Sequence, residues 1–153
     1  MEGLPGSGES FADDYLPHLL TRAAQAADAE FEAELRQLRV QRPVWWALAV
    51  LSEAEATTVT ELANRCALRQ PTATKLVDRM EQQGLVCRRS DERDRRLVRV
   101  ALTTKGGAVA AKLVDAAKRH EAALLPRYPR IEDAKEVLRA IIADNAKALR
   151  NAR

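Results

Sequence analysis

Residues 58–102 read TVTELANRCALRQPTATKLVDRMEQQGLVCRRSDERDRRLVRVAL, and this stretch decides the fold. Thr58-Val59-Thr60-Glu61 has the form of a capping box, in which a threonine oxygen accepts from the amide three residues on and the glutamate reaches back. A short helix therefore covers about 59–66. Residues 67–70 make a turn. Pro71 suits the first position of a second helix, where its missing N–H costs little, and Gly84 is a natural residue to follow that helix's end. Ala73, Leu76, Val77 and Met80 share its inner face. Thr72, Lys75 and Arg79 lie together on another face, with Thr74 and Asp78 beside them. Residues 85–89 and 97–102 have the pattern of short strands. The segment 90–95 between them is too polar for anything but an exposed tip.

Charge is concentrated in the same stretch. From Arg65 to Arg99, ten Lys/Arg stand against five Asp/Glu, a local charge of +5 in a chain whose net charge is +3, so the remainder carries −2. The bulk value argues weakly for any partner, whereas the distribution points to one basic face.

Working outward toward the N-terminus, apolar residues recur at Leu16, Leu19/Leu20, Ala23, Ala27, Phe31, Leu35 and Leu38. Steps of three and four predict one amphipathic helix over 13–38. It is too long to bury its whole stripe on one small domain and calls for a second surface, such as another subunit. Pro43 opens the next helix, through VWWALAVLSEA; being nearly all apolar, it should be buried. Beyond the quoted stretch, Thr103 caps a helix whose stripe is Val109, Leu113, Ala116/Ala117, His120 and Leu124, ending at Pro126. After a second break at Pro129, Glu132 and Asp133 open a last helix at its positive end, and Lys147 and Arg150 close it at the negative end. Its stripe is Val137/Leu138, Ile141/Ile142 and Leu149.

The 153 residues are 46% apolar but only 4% aromatic, which suits helix packing rather than a β-sandwich. The expectation is one unit over 13–150, mainly α with a small β-hairpin, preceded by a disordered tail over 1–12. No apolar run reaches the roughly 18 residues of a membrane span, and MEGLPGSGES lacks the basic start and apolar block of a signal peptide, so the expected location is the cytoplasm. Cys66 and Cys87 match no zinc spacing and read as free thiols. No catalytic set, metal cluster, phosphate loop or cofactor motif can be assembled, so neither an enzyme nor a cofactor is expected.

A short helix, a tight turn and a second helix with a compact polar face can set that second helix in the major groove of duplex DNA. There Lys75 or Arg79 would reach guanine acceptors or phosphates, and Arg69, Gln70, Thr72 and Thr74 base edges or backbone. The bland alternative is a surface helix with scattered charges. The hairpin shifts the balance toward the groove reading. Arg93, Arg95 and Arg96 are packed around Asp91, Glu92 and Asp94, which fits a division of labour in which Asp94 braces one arginine while another enters the minor groove.

LVCRRSDERDRRLVRVALTTKG resembles the wing of the MarR (multiple antibiotic resistance regulator) family of winged-helix repressors. That family's Asp-x-Arg-Asp-x-Arg tip falls here on Asp91, Arg93, Asp94 and Arg96, followed by Leu102, Thr103, Lys105 and Gly106. The preceding TELANRCALRQPTATKLVDRMEQQGLV is similar to the family's recognition unit, and PVWWALAVL to its second helix. The resemblance implies a winged helix-turn-helix over 43–102 and dimerisation helices over 13–40 and 104–150. It also implies a homodimer on pseudo-palindromic DNA, usually as a repressor, with release by a small aromatic acid or phenol. Arg22 resembles the position at which some relatives hold an aromatic carboxylate. Tyr15 and His18 lie near the same side of that helix, and Trp45 and Trp46 could add a wall. Two other readings stand beside this one: a winged helix turned to protein partners, and a thiol-based sensor using Cys66 or Cys87. The family's hydroperoxide-sensing branch uses a cysteine in the first helix, which this chain lacks.

Overall fold

The computed structural model describes residues 10–91, 94 and 96–151, with side chains to residue 144. Its elements are α1 (Phe11–Asp14), α2 (Leu16–Gln37), α3 (Arg42–Ser52), β1 (Thr57–Thr58), α4 (Val59–Arg65), α5 (Gln70–Gln82), β2 (Val86–Ser90), β3 (Val98–Leu102), α6 (Thr104–Leu124) and α7 (Ile131–Asn151). The fold is the mainly helical one expected, with a small antiparallel sheet.

Two local readings change. The helix expected over 13–38 is interrupted at Tyr15, which is extended at ψ 114° and accepts from the amides of His18 and Leu19. Pro17 accounts for the break. In a continuous helix its ring would strike the carbonyl of Asp13, and it has no N–H to donate to it. Residues 1–9, most of the expected tail, lie outside the described residues, and the first helical turn begins at Phe11, inside the span expected to be tail. The second change is a third strand. Thr57 and Thr58 pair with Val100 and Arg99, so the sheet runs β1-β3-β2 with β3 central. Val86 faces Leu102 and Ser90 faces Val98 across the hairpin.

The capping threonines sit where the pattern puts them. Thr58 Oγ1 accepts from the Glu61 amide at 3.1 Å, and Thr103 Oγ1 from the Gly106 amide at 3.0 Å. Pro43 stands in the first turn of its helix, after Arg42, and Pro71 occupies the second rather than the first helical position, after Gln70. Three helices end alike. The residue after the cap takes a positive φ, and the next amide reaches back to the helix: Val40 to Leu35, Leu68 to Ala63 and Leu85 to Met80. The left-handed residues are Arg39, Ala67 and Gly84; only the last is free of a Cβ penalty.

The chain divides into two compact units, one ending at Ala116 and one beginning at Ala117. The core of the first is built from Leu35, Leu48, Leu51, Leu62, Val77, Met80, Val86, Val100 and Leu113, all fully buried. Arg42 ties α3 to α2 through Asp28 and through Glu32 at 2.8 Å. The second unit is the end of α6 followed by α7, linked by Lys135, which bonds Glu121 and, at 3.0 Å, Glu132. Those two carboxylates, Glu121 first, raise the Lys135 pKa. Among the described residues no helix is long and apolar enough to cross a membrane.

Candidate nucleic-acid interface

α4 holds α5 through buried Leu62 and Ala63, and Ala73, Leu76, Val77 and Met80 bury the inner face of α5. With that face fixed, helical spacing turns Thr72, Lys75 and Arg79 outward, and all three are exposed, as are Arg69 and Gln70 at the helix start. Arg69 is the N-cap and offers no acceptor to the first amides, which leaves the positive end of α5 open. Thr74 is exposed too, but its hydroxyl donates to the Gln70 carbonyl at 3.0 Å. It keeps only an acceptor for an outside group. The structure thus brings six of the expected residues onto one helix end and its outer side.

Acidic residues on the same helix are spoken for. Arg88, the third residue of β2, donates to Asp78 at 2.6 Å and to Glu81, and its amide donates to Glu81 Oε1 at 3.2 Å. The bond to Asp78, and then that to Glu81, raise the pKa of Arg88 against the desolvation that lowers it. Among the described residues, no carboxylate pairs with Arg69, Lys75, Arg79, Arg89 or Arg96. Arg88 was not among the residues picked from the sequence. Its signal was there: a cation in the strand after a helix whose last turns carry Asp78 and Glu81, three apart.

Among the described residues, the tip of the hairpin is organised around Asp91. Asp91 is buried and accepts from Arg99 Nε and, at 2.8 Å, from the Asp94 amide. Asp94 accepts from the backbone amide of Arg96 at 3.0 Å, closing the turn. Backbone bonds from Asp91 to Leu97 and from Leu97 to Asp94, both 2.9 Å, complete it. The brace is Asp91 on Arg99; a buried carboxylate needs a charged partner, and Arg99 on the facing strand supplies one. Arg96 is exposed at the turn. Arg93 and Arg95 lie outside the described residues.

The Thr-x-Lys-Gly start of α6 acts as a clamp on the end of α5. Lys105 Nζ donates to the Gln83 carbonyl at 2.7 Å, Thr103 Oγ1 to that of Gly84 at 2.6 Å, and the Thr103 amide to that of Leu85 at 3.1 Å. Gly106 passes so close that a Cβ there would lie 1.8 Å from the Leu85 oxygen.

The residues expected to hold an effector are less gathered. Arg22 is exposed and pairs with Asp13 at 3.0 Å, Tyr15 stacks on Phe11, and His18 is exposed. Trp45 is buried against Phe31, and Trp46, 47% exposed, lies tilted against Trp45. Two clefts of the first unit, of about 280 and 510 Å³, are lined by other residues. Burial pushes the Cys66 thiol up, with Arg65 opposing. That favours the protonated form, the opposite of an activated thiolate.

A sequence profile of the MarR family matches residues 40–97. The chain is 33% identical over 103 residues to the organic hydroperoxide resistance transcriptional regulator of Bacillus subtilis (strain 168), an overlap of 67% of this chain and 70% of that one. It is 29% identical over 96 residues to the homoprotocatechuate degradative operon repressor of Escherichia coli, covering 63% and 65%. Among solved structures, a MarR family transcriptional regulator from Silicibacter pomeroyi DSS-3 superimposes with a TM-score of 0.78 at 34% identity, over 88% of this chain and 99% of that one.

Proposed function

This chain belongs to the MarR family of transcriptional regulators, and from that premise we propose that it binds duplex DNA sequence-specifically, as a homodimer on a pseudo-palindromic operator. It acts in the cytoplasm as a repressor and is released by a small aromatic acid or phenol. The observation that carries the DNA reading is the outer side of α5. Arg69, Lys75 and Arg79 stand there exposed and without carboxylate partners among the described residues, on a helix whose own acids are tied to Arg88. Thr72 and Gln70 accompany them, Thr74 contributes an acceptor, and Arg96 with Arg93 and Arg95 of the wing supplies the second contact.

The repressor role is supported by the name of the Escherichia coli relative, and the effector class by the aromatic acid in that name. Arg22 is the proposed carboxylate partner, and Tyr15, His18, Trp45 and Trp46 are the other residues proposed to take part. The Bacillus subtilis relative is named for organic hydroperoxide resistance, but burial pushes the Cys66 thiol up, which disfavours Cys66 as a thiolate sensor.

The test is fluorescence anisotropy with a labelled duplex from upstream of the chain's own gene, against an unrelated duplex. Wild type should prefer the upstream duplex, with affinity falling steeply as salt rises. Lys75→Ala and Arg96→Ala should each weaken binding more than tenfold while circular dichroism stays unchanged. Unchanged affinity in both would remove the site assignment. A panel of aromatic acids added to the same complex should release DNA from wild type and not from Arg22→Ala; equal release would remove the arginine clamp.

A further inference from the structure

We propose that Arg88 serves DNA binding by masking Asp78 and Glu81 on α5, rather than by touching DNA itself. The inference rests on the reading of α5 as the DNA-facing helix. Asp78 follows Lys75 by three positions and precedes Arg79 by one, so on the exposed side it flanks Lys75, at the edge of the face the two cations share. Glu81 lies one turn further on, toward the wing. Their side chains are 51% and 40% exposed, so both would meet the field of a phosphate backbone brought to this helix. Bare, the two carboxylates would cancel most of what Arg69, Lys75 and Arg79 supply.

Arg88 meets both at once. One guanidinium nitrogen takes Asp78, the other takes Glu81, and the backbone amide takes a Glu81 oxygen. A planar fork with fixed donors can serve two carboxylates together, which a lysine ammonium on a flexible stem does less well. The geometry also withholds Arg88 from DNA. At 29% its side chain is the least exposed of the three, and its terminal nitrogens are already committed to carboxylates. The raised pKa of Arg88 agrees with a cation held by its partners. Arg88 is therefore a positioning residue for the charge on the reading helix.

Masking and direct contact predict opposite outcomes when the carboxylates are neutralised. Arg88→Met keeps the stem and removes the fork. Arg88→Met/Asp78→Asn/Glu81→Gln also removes both negative charges, while the side-chain carboxamide at position 81 still offers an oxygen to the backbone N–H of residue 88. Affinity for the upstream duplex is measured by anisotropy from low to physiological salt, with circular dichroism as the folding control. Masking predicts that Arg88→Met binds about tenfold more weakly. It predicts that the triple variant returns to within about threefold of wild type, with the wild-type slope of affinity against salt. A triple variant as weak as the single one, with a slope shallower by about one charge, would make Arg88 a phosphate contact and overturn the proposal. So would an Arg88→Met that binds like wild type, or a triple variant that does not fold. Absence of wild-type binding would bring down the reading of α5, and this inference with it.

Discussion

At the scale of single residues, Gly106 is the position with least room for change. Its missing Cβ is what lets the start of α6 rest on the Leu85 carbonyl, and three hydrogen bonds depend on that approach. A methyl group cannot fit there, so α6 must lift and those bonds must lengthen or break. Overpacking of about 1–3 kcal/mol and about 0.5–1.5 kcal/mol for each bond lost give an expected destabilisation of about 3–5 kcal/mol for Gly106→Ala. Gly107 is the internal control. A Cβ there meets nothing within 4 Å, so Gly107→Ala should gain about 0.5–1 kcal/mol from helix propensity. Urea melts of both variants check the pair, and similar midpoints would refute the close-approach argument. This also gives a physical reason for the Lys-Gly signature, which from the sequence alone was only a resemblance: the lysine holds a carbonyl and the glycine admits one.

At the scale of elements, the helices were legible because their determinants are local. Apolar spacing, Thr58, Thr103, Pro43, Pro71 and Gly84 each act within a turn of where they stand. The break at Tyr15 was legible in principle, since Pro17 sits inside the periodic run, but the stripe through Leu16, Leu19 and Leu20 conceals it. β1 was not legible. Two threonines form a strand only because β3 offers an edge, and that partner lies some forty residues on. The wing shows the same division. Its acid-and-arginine composition was readable, whereas the bracing of Arg99 by Asp91 depends on burial and on pairing across the hairpin. That bracing is testable. Asp91→Ala removes the acceptor of the Asp94 amide and leaves the Arg99 guanidinium without it. Stability should fall by about 1–2 kcal/mol, and the amides of Asp94 and Leu97 should exchange with solvent faster, because the loop they close loses its anchor. Unaltered exchange at Asp94 would place the brace elsewhere.

At the scale of the whole molecule, what the sequence left open was where the long helices put their apolar stripes, and the described residues sharpen that question. In the first unit Phe11 is 79% exposed and Tyr15, Leu16 and Leu19 are exposed with it; in the second, Val137 is 58% and Ile142 69% exposed, with Leu138 and Tyr128 near them in sequence. Exposed apolar residues gathered along a helix fit an interface, and all of these but Phe11 fall within the spans proposed to dimerise. In a symmetric dimer every residue counts twice. Val137→Glu/Ile142→Glu would then withdraw four apolar side chains and insert four charges. At about 1.5–3 kcal/mol for each buried side chain, the loss is about 6–12 kcal/mol, several powers of ten in the dissociation constant. The variant should sediment as a monomer at low micromolar concentration, where wild type sediments as a dimer. It should melt earlier, because dimerisation contributes to stability by mass action. Its affinity for the upstream duplex should drop below that of Lys75→Ala, since losing the partner removes a whole half-site and Lys75→Ala removes one contact from each. A wild-type monomer, or a double variant that stays dimeric, would mean these faces serve another purpose.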